Sequence, residues 1–273
     1  MTISSASGGN PLSWRNLMKM GCGGSDTRAC CCNIILTDPV FSRRASPLPF
    51  LGPQRKTPPV LSVEQLHQLD AVVISHNHYD HLDDATIRRI LKRFPEVCCF
   101  VPLGLADWFR RRGAKRVVEL DWWQSFTWQG MTLTAVPAQH WSMRTPWNRN
   151  RSLWCGWVME GWHHRFWFSG DTGYSPELLL IPERLGQIDA AALPIGAYAP
   201  RWFMAVHHMD PQSAVALWQQ LGCPLAFPIH WGVFELADEA LDEPVQELTD
   251  ALDNLAPVNH SFRILKIGEY LSF

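Results

Sequence analysis

The sequence predicts one layered α/β domain, in which strands and helices of mixed order share a core. Short apolar runs rich in β-branched residues recur along the chain, and apolar positions at helical spacing lie between several of them. The chain is also long enough for a large core, with 273 residues of which 47% are hydrophobic. No internal repeat of short fixed period is visible.

The first half of the chain alternates loops, strands and helices. Residues 1–32 are rich in Gly, Ser and Cys without sustained periodicity, so we expect an irregular arm. Residues 41–60 contain five prolines and are expected to form an extended loop. Ser62 begins a capping box for a short helix to about residue 69, and Asp83 or Asp84 is expected to cap a longer one. The other elements predicted here are strands at 33–37, 71–75, 98–101 and 116–119 and a helix at 105–112.

The second half begins with β structure and continues with alternating helices and strands. Ser175-Pro176 is expected to begin a short helix, and Asp210-Pro211 to cap a longer one with a single apolar face. A C-terminal helix is expected near 243–255. The predicted strands are 131–136, 153–159, 165–169, 188–193, 225–229 and 262–267.

Composition and charge exclude several classes of protein. The apolar content is too high, and the net charge of −2 too small, for a disordered chain. The 24 Lys and Arg against 26 Asp and Glu leave no basic excess for nucleic-acid phosphates. No apolar run approaches the roughly 18–20 residues that span a bilayer, and the first residues lack the apolar stretch of a signal peptide. We therefore expect a cytoplasmic chain with reduced thiols.

A dense group of His and Asp follows the predicted strand at 71–75. His76, His78, Asp80 and His81 lie within six residues, and imidazole together with carboxylate suits cations such as zinc. An extended backbone would point His76 and His78 at one metal, because they alternate along the chain. Asp80 and His81 lie past the turn and would point at a second metal.

Three later residues of the same chemistry each follow a predicted strand. His140 follows the strand at 131–136, Asp171 the strand at 165–169, and His230 the strand at 225–229. Because open α/β sheets hold their sites at the carboxyl ends of strands, we expect these residues to join the first group. Together they complete two sites of three protein ligands and one bridging carboxylate, which leaves a position for water.

The pattern His-x-His-x-Asp-His at 76–81, followed by His140, Asp171 and His230, resembles the metallo-β-lactamase superfamily. More narrowly, the chain is similar to the N-acyl-phosphatidylethanolamine-hydrolysing phospholipase D family and its bacterial relatives. This similarity rests on strings such as LTDPVF at 36–41 and VISHNHYDHLD at 73–83. Further strings lie at 101–104, 119–123, 170–174, 194–198, 200–203 and 230–232.

The resemblance implies an αββα four-layer sandwich with two zinc ions at the edge of its sheets. One zinc would be bound by His76, His78 and His140, the other by Asp80, His81 and His230, with Asp171 as the bridge. A hydroxide between the metals would attack phosphorus, which makes Asp80 and Asp171 catalytic, and Asp38 would orient a ligand histidine. The hydrolase domain would span 33–273, and the usual first hairpin would be degraded within the arm at 1–32.

The polar segment after residue 198 is predicted to be a substrate loop. Arg201 would bind phosphate, and His208 would transfer a proton to the leaving group. Tyr198 and Trp202 belong to the strings that carry the resemblance and are predicted to bind substrate. The alternative for His208 is an ordinary solvated loop beside the helix cap at Asp210.

The predicted activity is that of a zinc-dependent phosphodiesterase of the phospholipase D type, acting on an N-acyl-phosphatidylethanolamine-like phosphodiester. The alternative is a cytosolic metal-dependent lactonase acting on a sugar-phosphate lactone. A diiron redox protein is disfavoured because His78 stands where that class uses a carboxylate. A metal-binding regulator without activity is disfavoured by seven intact ligands.

The distribution of aromatic residues suggests contact with a membrane. Trp occurs 14 times, and nine of these lie between residues 122 and 167, which predicts either core packing or an aromatic rim at a lipid interface. With Trp202 and Phe203, this leads us to expect transient contact with the inner face of a membrane. A net charge near zero predicts little electrostatic capture of anionic lipid. The expected partners are a phospholipid-like or other phosphodiester substrate and a second copy in a homodimer, without nucleic acid.

Overall fold

The computed structural model describes the backbone of residues 17–20 and residues 33–161, 163–255, 261–266 and 269. Its first sheet has five strands in the order β1-β2-β3-β4-β5, of which β1 and β2 are antiparallel and the others parallel. These strands are β1 (Leu17–Met20), β2 (Asn33–Thr37), β3 (Ala71–Val73), β4 (Cys98–Pro102) and β5 (Arg116–Leu120).

The second sheet has seven strands in the order β12-β11-β10-β9-β8-β7-β6. Strands β6 to β9 are antiparallel neighbours, whereas β9 to β12 run parallel. The strands are β6 (Ser125–Trp128), β7 (Met131–Val136), β8 (Gly156–Gly161), β9 (His164–Phe168), β10 (Ala190–Pro194), β11 (Leu225–Ile229) and β12 (Ser261–Phe262).

Helices cover the outer face of each sheet. Ile87, Ile90 and Phe109 pack into the core of the first sheet, whereas Leu217 and Leu248 belong to a second core behind the other sheet. The helices are α1 (Asp84–Arg93), α2 (Ala106–Arg110), α3 (Leu180–Leu185), α4 (Arg201–Met204), α5 (Pro211–Leu221) and α6 (Glu243–Asp253). The four-layer αββα prediction is confirmed.

Strands β7 to β11 of the second sheet are mostly buried on both faces, which explains their apolar composition. Trp157 and Met159 of β8 pack toward the first sheet, and Val158 between them packs toward the helices. Phe166 and Trp167 of β9 divide in the same way. Because successive side chains of a strand point to opposite faces, one strand contributes to both cores. No helix of the described residues has the length and apolar composition needed to cross a bilayer.

Several predicted boundaries differ from the structure. A strand, Leu17–Met20, lies inside the segment expected to be irregular, where it pairs with β2; the rest of 1–32 lies outside the described residues. The capping box at Ser62 is present but opens only one turn, Val63–Gln65. Strand β6 and helix α4 were not predicted, because both are short and mostly exposed and therefore show no clear apolar pattern. The strand predicted at 262–267 is shorter in the described residues, where it comprises only Ser261–Phe262.

Candidate metal centre

Seven His and Asp side chains meet where strands of both sheets end. The segment after β3 contributes His76, His78, Asp80 and His81, whereas His140, Asp171 and His230 follow β7, β9 and β11. The strand ends of the two sheets open at the same edge of the sandwich, so residues distant in sequence become neighbours. Two groups formed by these seven side chains alone each bring their donor atoms close enough to hold a cation.

The first group consists of three histidines. His76 Nε2 lies 2.8 Å from His78 Nδ1, and His140 Nε2 lies 3.2 Å from the same atom. All three rings meet edge to face, with centroids 4.5–5.1 Å apart. Three nitrogens aimed at one point provide the donor set that zinc prefers.

The second group adds two carboxylates. Asp171 Oδ2 lies 3.0 Å from His81 Nε2 and 3.3 Å from His230 Nε2, and Asp80 Oδ2 lies 3.3 and 3.2 Å from the same two nitrogens. Asp171 Oδ2 is also 3.9 Å from His140 Nε2. The Asp171 carboxylate therefore reaches imidazole nitrogens of both groups.

The far nitrogen of three of these rings is held by a polar partner. His81 Nδ1 contacts Asp38 Oδ2 at 2.7 Å, the contact implied by the resemblance. His76 Nδ1 lies 2.9 Å from Ser75 Oγ, and His140 Nδ1 lies 2.9 Å from the His207 carbonyl. Such partners select the ring tautomer and leave the other nitrogen free to bind a metal.

The two groups differ in their acid–base state. Burial lowers the pKa of His78 to about 4 and that of His76 and His140 well below the usual value, so these rings are neutral near pH 7. Burial also opposes the charged form of His81 and His230, but neighbouring carboxylates, Asp171 above all, raise both pKa values. The second group therefore holds protons that a cation would displace.

Several buried polar atoms of the cluster have no partner of their own. Within the described part of the chain, Asp171 Oδ1, His78 Nε2 and His208 Nδ1 form no hydrogen bond. Buried polar atoms are normally hydrogen-bonded, and exceptions indicate an ion or ligand. Nitrogen and carboxylate donors at these spacings fit borderline divalent cations. The cluster therefore fits a centre for two cations.

The backbone around the cluster is unusual in two ways. Asp38 and His230 adopt left-handed conformations, with φ of 40° and 58°, which are uncommon for non-glycine residues and cluster at functional sites. Gly170, directly before Asp171, also has a positive φ, and a Cβ there would lie 2.5 Å from Cβ of Ser75. Glycine is therefore required for the turn that delivers Asp171 to the centre.

Comparisons with known proteins agree with this geometry. Residues 33–231 match the family described as the beta-lactamase superfamily domain. The chain belongs to this superfamily. It is 42% identical over 248 residues to N-acyl-phosphatidylethanolamine-hydrolyzing phospholipase D 1 of Caenorhabditis elegans, over 86% of this chain and 69% of that protein.

Two further similarities extend this result. The mitochondrial N-acyl-phosphatidylethanolamine-hydrolyzing phospholipase D of Saccharomyces cerevisiae is 33% identical over 223 residues, which cover 78% of this chain and 47% of that protein. A metallo hydrolase from Ignicoccus hospitalis shares the fold at 22% identity, with a TM-score of 0.64 over 88% of this chain and 91% of its own. This β-lactamase superfamily member is a metal-dependent hydrolase that spans about half to two thirds of its phospholipase D relatives.

His208 lies within the candidate metal centre, although it is remote in sequence from most of the other histidines there. Its Nδ1 atom is 3.9 Å from Asp171 Oδ2, and its ring stacks on His230 with centroids 5.5 Å apart. Its side chain is only 11% exposed, and burial lowers its pKa to about 4. The solvated loop considered as an alternative for His208 is therefore wrong.

The three predicted substrate residues differ in their surroundings, and two of them, Tyr198 and Arg201, line one pocket together with His208. Arg201 donates to Asp210 at 2.8 Å and to Glu247, and its guanidinium lies 4.5 Å above the ring of Tyr198, which is buried. The Arg201 charge is thus balanced by two carboxylates, and a contact with phosphate stays a prediction. Trp202 is 84% exposed beside them.

Arg144 is a residue of the site that sequence patterns missed. Its Nη1 atom donates to the carbonyls of Asn77 and Leu82 at 2.9 and 2.6 Å, which flank the ligands from His78 to His81. Its guanidinium also lies 4.1 Å above the Tyr79 ring. Only its position four residues after His140 could have drawn attention to it.

Proposed function

We propose that this metal-dependent hydrolase is a zinc-dependent phosphodiesterase of the phospholipase D type, which hydrolyses an N-acyl-phosphatidylethanolamine-like phosphodiester. The observation that carries the proposal is the position of the Asp171 carboxylate, within 4 Å of imidazole nitrogens of both groups. A carboxylate shared between two sets of donors suits a pair of cations. Enzymes that carry out in-line displacement at phosphorus use such a pair to stabilise the attacking and leaving oxygens. The 42% identity to the phospholipase D of Caenorhabditis elegans supports the substrate class.

The proposed ligands follow from the two groups of atoms. His76, His78 and His140 would hold one cation, Asp80, His81 and His230 the other, and Asp171 both. The predominance of imidazole favours zinc over magnesium or calcium, which prefer oxygen. When bound, the two cations supply a water nucleophile at neutral pH and neutralise the charge that develops on the phosphoryl oxygens.

The remaining residues bind and orient the substrate. His208 Nδ1, which faces Asp171, would pass a proton to the leaving oxygen once the phosphodiester anion beside it offsets the burial that lowers the pKa of His208 in the free protein. Trp202 would contact an apolar part of the substrate, since its ring is exposed on α4. The pairing of Arg201 with Asp210 and Glu247 supports an indirect role for Arg201 and Tyr198, in which they hold α4 and therefore Trp202 in place.

The test is hydrolysis by the zinc-reconstituted chain of three substrates: a long-chain N-acyl-phosphatidylethanolamine in micelles, a short soluble phosphodiester and a sugar-phosphate lactone. We expect the lipid to be preferred, with an N-acylethanolamine and a phosphatidate as products. Preference for the lactone by about tenfold, on the order of 1.4 kcal/mol in barrier, would overturn the proposal in favour of the lactonase. The homodimer and the cytoplasmic location stay predictions, and sedimentation velocity tests the first.

A further inference from the structure

A short chain of buried hydrogen bonds connects the two groups of predicted ligands. At one end, Nδ1 of His81 in the second group lies 2.7 Å from Asp38 Oδ2. Ser75 Oγ lies 2.5 Å from the same carboxylate oxygen. At the other end, Nδ1 of His76 in the first group lies 2.9 Å from Ser75 Oγ. All four residues are at most 5% exposed, so water does not compete for these contacts.

The chemistry of Asp38 sets the direction of the hydrogen bonds. A carboxylate only accepts, and the other oxygen of Asp38 accepts from the Ser75 backbone N–H at 2.7 Å. The single hydroxyl proton of Ser75 therefore points to Asp38, which leaves a lone pair of Ser75 Oγ for the N–H of His76. An imidazole that binds a metal is neutral and has one N–H. Ser75 thus favours the ring proton on Nδ1 and leaves Nε2 as the ligand atom.

The position of Ser75 is fixed by both sheets. Its backbone N–H is bound by Asp38, which directly follows β2, and its carbonyl accepts from the Cys155 N–H, directly before β8, at 2.9 Å. The backbone of Gly170 packs against the Ser75 side chain, because a Cβ at Gly170 would lie 2.5 Å from Ser75 Cβ and 3.0 Å from Ser75 Oγ. The hydroxyl therefore has little room to turn away from His76.

We propose that Ser75 is a positioning residue that extends the hold of Asp38 from His81 to His76. One carboxylate then orients a ligand of each group, since hydrogen bonds in a chain polarise one another. Partners of this kind contribute about 10–100-fold to metal affinity. The inference rests on the ligand groups of the proposed function but not on its substrate, because it concerns the binding of the cations alone.

The experiment measures zinc affinity, by competition with a chelator, in two backgrounds that each retain one group. Asp80→Ala retains the first group, and His78→Ala retains the second. Ser75→Ala should weaken zinc binding about 10–100-fold in the Asp80→Ala background and should not weaken it in the His78→Ala background. Asp38→Asn should weaken zinc binding in both backgrounds, because both ends of the chain depend on its carboxylate.

The position of the ring proton of His76 provides a second measurement, which needs no metal. In the metal-free parent, nitrogen-15 NMR of the ring should show the proton on Nδ1, whereas Ser75→Ala should move it toward Nε2. A role of Ser75 in packing alone would lower the Tm without moving this proton. The matched control is Ser169→Ala, because Ser169 is also fully buried and donates to the Gly170 carbonyl at 2.9 Å. This change should affect neither zinc affinity nor the proton.

Three results would overturn the proposal. One is equal zinc affinity of Ser75→Ala and Ser169→Ala in the Asp80→Ala background. Another is a loss with Asp38→Asn in the His78→Ala background alone, and the third is an unmoved ring proton in Ser75→Ala. Ser75→Ala deletes a single oxygen atom, so this variant suffices if Asp38→Asn does not fold. If neither background binds zinc, the proposed ligand groups fail, and the ring proton still decides the role of Ser75.

Discussion

Asp38 Oδ2 lies 2.7 Å from Nδ1 of His81, and the same carboxylate accepts hydrogen bonds from the backbone N–H and the hydroxyl of Ser75. One buried carboxylate thus orients a predicted ligand and ties it to the end of β3. Its ionised form is favoured by His81 and Ser75, although burial still raises the pKa of Asp38.

Asp38→Asn should therefore reduce activity without removing any predicted ligand. The amide presents either a second donor to His81 Nδ1 or a weaker acceptor, so the ring loses its orientation. Partners of this kind are worth about 10–100-fold in metal affinity or activity. Turnover and metal content are measured together. The control is Asp70→Asn, because Asp70 accepts a hydrogen bond from the Ile34 N–H in the same sheet, away from the centre. Equal effects of the two changes would contradict this role.

Asp171→Ala should be the most damaging single change in the centre, because it removes the carboxylate shared by the two groups. The expected loss is on the order of a thousandfold in rate, which corresponds to several kcal/mol of transition-state stabilisation. Steady-state kinetics of the variant and of Asp189→Ala, an Asp outside the centre, provides the comparison. Near-normal turnover by Asp171→Ala would exclude this residue from the site.

The chain should hold two divalent cations when fully loaded, since its donor atoms form two groups. Elemental analysis after chelation and reconstitution with zinc measures this number directly. Asp80→Ala should then retain one cation, held by His76, His78 and His140. A parent chain that binds no more than one cation tightly, with full activity in Asp80→Ala, would contradict the two-cation centre.

Acidification should release the cations from the two groups of ligands at different pH values. Metal binding requires neutral imidazole, and the carboxylates raise the pKa of His81 and His230, whereas burial lowers that of His76, His78 and His140. As the pH falls, protons therefore compete first at the group with His81 and His230. His78→Ala, which keeps that group, should lose its zinc at higher pH during stepwise dialysis than Asp80→Ala does. The reverse order would be inconsistent with these pKa directions.

Arg144→Lys should weaken the ligand segment without touching a ligand. Lys lacks the planar guanidinium that stacks on Tyr79 and holds one nitrogen against the carbonyls of Asn77 and Leu82. Each buried carbonyl left unpaired costs about 1–3 kcal/mol. We expect a lower Tm together with weaker zinc binding. Arg149→Lys, in the same loop but exposed, is the matched control. A lower Tm with unchanged zinc affinity would assign Arg144 a purely structural role.

The layered fold and the cluster of His and Asp could both be predicted from sequence, because strand ends coincide with the residues that bear the chemistry. His76 to His81 are neighbours in the chain, and their spacing alone indicates a metal site. The engagement of Arg201 by Asp210 and Glu247 could not be predicted, since it depends on how α4, α5 and α6 meet.

Hydrolysis at phosphorus is tested by following the oxygen of water. The zinc-loaded chain is given N-acyl-phosphatidylethanolamine in water enriched in oxygen-18, and the products are analysed by mass spectrometry. If water attacks phosphorus, one labelled oxygen enters the phosphatidate and none enters the N-acylethanolamine. Label in the N-acylethanolamine or in a released fatty acid, or no turnover by a chain that carries both cations, would contradict the account.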